Sequence, residues 1–356
     1  MIMMKQVTFH SSDNGVSLQF FSFYSSPDPD FTTEVRNLLL RYREEINKNI
    51  PFILRFHLSD ITNQAQTLIT LLKEFGLREF ATLVGQAPLN GAKVAVEGWA
   101  FSQMPQMYSF HFSLSEKSDV QGSFAQMRRE FQSLEQRIGN AGTIAANVIR
   151  TWIYCRDIDN NYEGLVIARR EYFSQIGLTA DTHYIASTGI EGQSEDSSQI
   201  VKMDSLGIFG IVPAQMEFMT APGYMSPTQI YGVTFERGTR LIFGNASLYF
   251  ISGTASIDKS GRIVHPGNVM AQAKRMIENV EALLKNHGGT WDDLKQAAVY
   301  LRDIADYPRI FDFLQEKIGQ ICPFLVVEGT VCRPGWLIEM ECIAANHKGK
   351  NIFPVL

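Results

Sequence analysis

The sequence predicts an α+β protein made of two tandem copies of one unit, each a mixed sheet with helices packed on one face. Three observations carry this. The chain matches itself without a gap at an offset of 146 residues. Within each copy a run of helical periodicity leads to an apolar, strand-like run and then to a second helical run. Short strand-like runs joined by turn residues flank each copy.

The offset places Gln126–Ile158 on Gln272–Ile304, with nine of 33 positions identical. Chance would give about two at average residue usage. In the second copy Ala273, Met276, Ile277, Val280, Leu283 and Leu284 share one helical face, with Lys274, Arg275, Glu278 and Glu281 on the other. Asn286–Gly289 ends that helix, because glycine accepts the left-handed cap conformation. Ala297–Leu301 follows as a strand, Asp303–Asp306 as a turn and Pro308–Ile318 as a second helix. The first copy reads the same way: Met127–Ile138, Val148–Cys155 and Tyr162–Phe173.

Two strands precede each copy as a hairpin. They are Thr239–Phe243 and Leu248–Thr254 in the second, and Phe80–Gly85 and Ala92–Trp99 in the first. After the second copy come Phe324–Thr330 and Leu337–Ala344, turned by Pro334-Gly335. The polar stretch Ile190–Gln215 reads as an exposed loop. The expected division is an N-terminal unit at 1–205, a connecting segment at 206–239 that contributes to the cleft, and a C-terminal unit at 240–356 that carries the site.

Composition narrows the function. With 356 residues, 45% hydrophobic content and a net charge of -5, the chain can bury a core and makes a poor nucleic-acid binder. Cys155, Cys322, Cys332 and Cys342 form no CxxC spacing, and no paired histidine motif or phosphate-binding loop appears, so neither a metal nor an organic cofactor is expected. Met1–Ser12 lacks the apolar stretch of a signal peptide, and no apolar run could span a membrane. The expectation is a cytoplasmic protein acting on a small anionic molecule.

The second copy resembles the RidA/YjgF family over Arg240–Ala345. The resemblance rests on Ser252-Gly253-Thr254-Ala255-Ser256, Gly267–Leu284, Val299-Tyr300-Leu301-Arg302-Asp303 and Leu337-Ile338-Glu339-Met340-Glu341. It implies the RidA-like (chorismate-mutase-like) fold, trimers with sites between subunits, and hydrolysis of reactive enamines and imines. That activity uses an arginine whose place here holds Phe324. A wider resemblance is to the chorismatases, two-domain relatives. It rests on Arg150–Tyr154, Ala186–Ile190, Tyr231–Thr239, Ser252–Ser256 and Cys332-Arg333 followed by Glu339, although Ala221–Phe235 lacks the arginine- and proline-rich pattern usual there. It implies hydrolytic loss of pyruvate from chorismate to give a hydroxybenzoate or a dihydroxylated cyclohexadiene acid. Glu339 would be the catalytic acid, and a cysteine like Cys332 accompanies hydroxybenzoate formation.

The residues themselves allow this chemistry. A hairpin at Pro334-Gly335 would set Cys332 and Glu339 diagonally on one face, about 7–8 Å apart. Leu337, Ile338, Met340 and Cys342 surround Glu339 with apolar groups, which raises a carboxyl pKa. An edge-strand glutamate facing solvent is the alternative reading of the spacing. Arg237, Arg240, Arg333 and Arg150 could hold carboxylates, with guanidinium the suitable shape. Tyr231 and Tyr154 could add phenol hydroxyls, or fill the core. Arg156-Asp157 and Arg302-Asp303 recur in both copies and read as salt-bridged turns. A monomer and a homotrimer both remain open, and a non-catalytic small-molecule- or partner-binding module is the alternative to an enzyme.

Overall fold

The computed structural model describes residues 4–12, 15–46 and 48–356; Met1–Met3 of the start considered for a signal peptide lie outside them. The architecture is α+β, with mixed sheets carrying helices on one face, but the sheets number three. The first unit runs β1 (Met4–His10), β2 (Ser17–Tyr24), α1 (Phe31–Ile46), β3 (Ile50–Leu58), α2 (Ile61–Glu74), β4 (Ala81–Gly85) and β5 (Val94–Phe101). The second runs β6 (Ser109–Ser113), α3 (Ser123–Ile138), α4 (Ile144–Asn147), β7 (Val148–Cys155), α5 (Ile158–Gln175), β8 (Ala186–Glu191) and β9 (Val201–Phe209). The third runs β10 (Met216–Phe218), β11 (Gly238–Ile242), β12 (Ser247–Ala255), α6 (Val269–Asn286), β13 (Leu294–Leu301), α7 (Tyr307–Lys317), β14 (Phe324–Glu328) and β15 (Ile338–Asn346).

The strand orders are β1-β2-β5-β3-β4, β6-β9-β7-β8 and β10-β11-β12-β15-β13-β14. In each unit a central strand (β3, β7, β13) pairs in parallel with β4, β8 or β14 and antiparallel with β5, β9 or β15. Each central strand has a register shift at the same place, Pro51/Ile53, Val148/Arg150 and Leu294/Gln296. A shared bulge of this kind marks related strands. The 146-residue repeat is thus real, with α3 and α6 starting at Ser123 and Val269, and the chain contains a third unit of the same plan.

Four expectations change as a result. The stretch 1–205 holds two sheets, not one. Phe80–Gly85 and Ala92–Trp99 are not a hairpin, because β3 lies between β4 and β5. Ile190–Gln215 is only partly loop: β9 is a buried strand between β6 and β7, disguised by the polar residues Lys202, Asp204 and Ser205 that it carries inward. Phe324–Glu328 and Ile338–Asn346 are not a hairpin either, since β13 separates them.

Local chemistry explains the helices. Asn268 caps α6 by accepting from Ala271 N at 2.9 Å, and Asp60 caps α2 from Asn63 N at 3.2 Å. The apolar face of α6 is buried, as its periodicity requires, and Gly288 follows it at φ +79°. The opposite faces of the sheets meet in the middle of the molecule. Trp99 stacks on Phe20 at 5.7 Å and lies 6.2 Å from Phe250 of the third unit. Burying each such side chain contributes roughly 1.5–3 kcal/mol.

The units close on one another. Single bridges join Gly85 to Gln193, Pro88 to Val327, and Ile190 to Val331, linking first to second, first to third and second to third. At their meeting point Glu341 of β15 accepts from Arg55 of β3 at 3.0 Å, Arg150 of β7 at 2.7 Å and Trp152 at 2.8 Å. Arg55 also pairs with Glu97 of β5 at 2.7 Å. No helix among the described residues is long and apolar enough to cross a membrane.

Candidate active site

Glu339 sits near the start of β15, opposite Ala255 of β12 and Tyr300 of β13. Its side chain enters a cavity between the second and third units. The lining comprises Tyr162 and Arg169 of α5, Ser187 and Gly189 of β8, Gly253 of β12, and Tyr231, Phe235, Arg237, Cys332, Arg333 and Trp336 from loops. Glu339 is 5% exposed, and its carboxyl makes no hydrogen bond among the described residues. Burial, reinforced by the neighbouring charge of Glu341, pushes its carboxyl up to about 8 despite Arg150 and Arg237. It is therefore largely protonated at neutral pH. Gly253 makes room for it, because a Cβ at that position would collide with the carboxylate.

Glu341, two residues along and on the same face, has the opposite state. Burial alone would push it up, but Arg150 and Arg55 outweigh burial and hold it below the ordinary carboxylate range. The strand thus presents one neutral acid to the cavity and one anion to the molecular centre.

Two buried guanidiniums face the cavity. Arg237 donates through Nε and Nη2 to Ser226 O at 3.3 and 3.0 Å, and lies over the Tyr231 and Phe235 rings at 5.3 and 5.6 Å. Arg169 is 2% exposed, and its Nε and Nη2 have no partner. Neither is within 4.0 Å of a carboxylate among the described residues. A buried cation without an anion is costly, so such a pair suits an anionic ligand. The Tyr231 hydroxyl is also buried without a partner. Arg333 donates to Tyr231 O at 2.9 Å and stacks over Tyr231 and Trp336 at 4.7 and 5.3 Å. The half-buried Cys332 thiol is pushed up to about 12, by burial first and then by Glu339. It is a thiol at neutral pH, not a thiolate.

The structure therefore brings together Glu339, Cys332, Arg237, Tyr231 and Arg333. It does not bring in Arg150, which Glu341 and Thr188 occupy in the molecular centre, or Arg240, which pairs with Glu217 at 3.0 Å and donates to Lys348 O. Both had a carboxylate or carbonyl of the fold to satisfy first. Tyr154 is a core residue. Arg302 pairs with Asp159 of the second unit rather than with Asp303, which caps the turn at Ala305 N. Sequence reasoning does not point to Arg169 and Tyr162. They belong to the other unit, but a charged side chain on the face of α5 that also buries Leu165, Ala168 and Tyr172 was a visible signal.

The resemblance implies an arginine at the place of Phe324, and the register shows which residue of the second unit corresponds to it. Ser187 pairs with Thr151 as Phe324 pairs with Ala297, 146 residues on from Thr151. The cavity is lined by Ser187; Phe324 does not line it. No arginine stands at either position. The free space of the cavity is about 30 Å³. Behind Phe235 and Arg237 lies a larger chamber of about 280 Å³. Among the described residues no group of three or more His, Cys, Asp or Glu could hold a metal.

Comparison with known proteins bears on the third unit and on the whole fold. The family model described as endoribonuclease L-PSP matches residues 241–346. A RutC family protein of Pyrococcus abyssi is 37% identical over 97 residues, covering 27% of this chain and 76% of that protein. The 3-aminoacrylate deaminase RutC of Acinetobacter baylyi is 30% identical over 103 residues, covering 28% of this chain and 79% of that protein. The crystal structure of a chorismatase superposes over 93% of this chain and 98% of its own, with a TM-score of 0.65 and 17% identity.

Proposed function

We infer function from one premise: this chain belongs to the RidA/YjgF family, to which its RutC relatives belong. The cavity at Glu339 is proposed to hydrolyse the enol ether of chorismate or a similar acid, releasing pyruvate. The observation that carries this is Glu339 itself, a buried carboxyl held protonated to about pH 8 and facing a cavity with two guanidiniums that meet no carboxylate among the described residues. The fold shared with a chorismatase is consistent with it.

The proposed step uses the side chains of the cavity, whose walls must part to admit a substrate because its free space is about 30 Å³. Arg237 and Arg169 hold two carboxylates of the substrate, with Arg333 and the Tyr231 hydroxyl beside them. Glu339 gives its proton to the enolpyruvyl methylene carbon, leaving an oxocarbenium ion. Water adds to that ion and returns a proton to Glu339. The hemiketal then collapses to pyruvate and the ring alcohol. Positioned acids contribute about 100- to 10,000-fold to such a step. Cys332, a neutral thiol beside Glu339, bears on whether the ring leaves as the dihydroxylated diene or loses one ring hydroxyl and one ring proton, as water, to become a hydroxybenzoate. The residues ask for no metal or cofactor in this scheme, and the enzyme would work in the cytoplasm.

A second reading is an enamine or imine deaminase, the activity in the name of the Acinetobacter relative. Ser187 and Phe324 at the arginine positions weigh against it. Incubating the protein with chorismate and assaying pyruvate tests the first reading. Pyruvate in step with chorismate loss supports it. No pyruvate, with ammonia released from an enamine such as 3-aminoacrylate, replaces it with the second.

A further inference from the structure

The chamber behind Phe235 and Arg237 belongs to no part of the scheme above. It lies between the loop after α5 and the segment from Phe218 to Arg237, and measures about 280 Å³. An apolar cavity of roughly 150 Å³ suffices for benzene. Its walls include Phe218, Met219, Pro222, Met225 and Phe235. The wall is firmly held: Phe218 stacks on His183 at 4.3 Å and 14°, and Tyr184 N donates to Glu236 at 2.7 Å.

The lining also carries Thr182, Thr220, Thr228, Gln229 and Glu236, the last engaged by Tyr184 N, and two of its polar groups lack partners suited to them. Arg237 is 6% exposed, lines both the chamber and the inner cavity, and finds only the carbonyl of Ser226. The Ser226 hydroxyl is buried with no partner at all. A flat apolar body with one carboxylate satisfies both, its ring against Phe235 and Met219 and its charge on Arg237. We propose that the chamber is a second binding compartment for a small aromatic carboxylate, sharing Arg237 with the inner cavity. Occupancy there withdraws Arg237 from the inner site, so an aromatic acid in the chamber lowers the affinity of an anion beside Glu339.

The inference does not depend on the enol ether reading, and its test needs no turnover. Benzoate is titrated into the intact protein and followed by calorimetry, in wild type, Ala180→Trp and Glu339→Gln. Ala180 is exposed and lines the chamber, so the tryptophan plugs it without entering the core. Saturable binding that survives Glu339→Gln and is lost in Ala180→Trp is the expected result. A circular dichroism melt establishes that Ala180→Trp is folded, and Phe218→Trp is a second plug if it is not. No saturable binding to wild type overturns the proposal. So does binding that persists with the chamber plugged, which places benzoate elsewhere.

Discussion

A single carboxyl carries the chemistry proposed for this molecule, and its environment makes two measurable demands. Glu339 acts as an acid only while protonated, so pyruvate release should hold steady from about pH 6 and fall through about pH 8, where its proton is lost. Glu339→Gln keeps the volume and removes the proton; it should cut the rate by about 100- to 10,000-fold. The same change should stabilise the fold. From the ordinary carboxyl pKa of 4.5 up to about 8 the unfolded chain ionises Glu339 and the folded chain does not, so wild-type stability drains away across that window. The variant lacks this loss, and its advantage in thermal melts should grow from pH 5 to pH 8. A stability difference independent of pH would show that Glu339 is ionised in the fold. Arg169→Ala should weaken substrate binding by about 2–5 kcal/mol, with a rise in KM larger than any fall in kcat. Equal KM values would remove Arg169 from the site. Much of this centre was legible in the chain, because Glu339, Cys332 and Arg333 lie within eight residues and Tyr231 and Arg237 in one short segment. Arg169 and Tyr162 were not, since they reach the cavity from another unit. A lone arginine does not announce which carboxylate it meets, so the sequence points to Arg150 and Arg240 as readily as to Arg237.

At the scale of elements the three central strands share one bulge and one ending. Asp60-Ile61, Asp157-Ile158 and Asp303-Ile304 stand at corresponding places, 97 and 146 residues apart. That dipeptide was the trace of the first unit, but two residues cannot be told from chance, and the 146-residue match across 33 positions overshadowed it. Strand β9 escaped for a different reason: hydrophobic alternation assumes that the inward face is apolar, and here it carries charge. Lys202 takes the position in β9 that Glu339 takes in β15 and Ala95 in β5, each opposite Tyr154, Tyr300 and His57 respectively. It bonds Glu195 at 2.9 Å and Leu83 O at 2.9 Å, filling the junction of first and second units. Removing one partner of so buried a pair costs about 3–5 kcal/mol, so Lys202→Ala should lower the urea midpoint markedly. Arg36→Ala, at the exposed pair with Glu74, should change stability by about 0–1 kcal/mol. Similar midpoints for the two variants would show that Lys202 is solvated.

Across the whole molecule each unit already has both of its neighbours. The chain should therefore be a monomer in light scattering, and a trimer of 356-residue chains would contradict the closed arrangement. The knot that fastens the three units is Glu341 with Arg55 and Arg150. Glu341→Gln leaves the buried Arg150 without a carboxylate and Arg55 with Glu97 alone, and should destabilise the fold by about 3–5 kcal/mol. It also removes the anion that helps keep Glu339 protonated, so the alkaline limit of any remaining activity should move to lower pH. An unchanged limit would separate the two carboxyls electrostatically. Placing three related units on one polypeptide has a further effect on how such a protein can change. In a ring of identical chains every substitution is made three times, and a residue useful in one cleft must be tolerated in all of them. Here Ala95, Lys202 and Glu339 are inherited separately. One seam can become a brace and another a workplace, and a single codon alters one without touching the others.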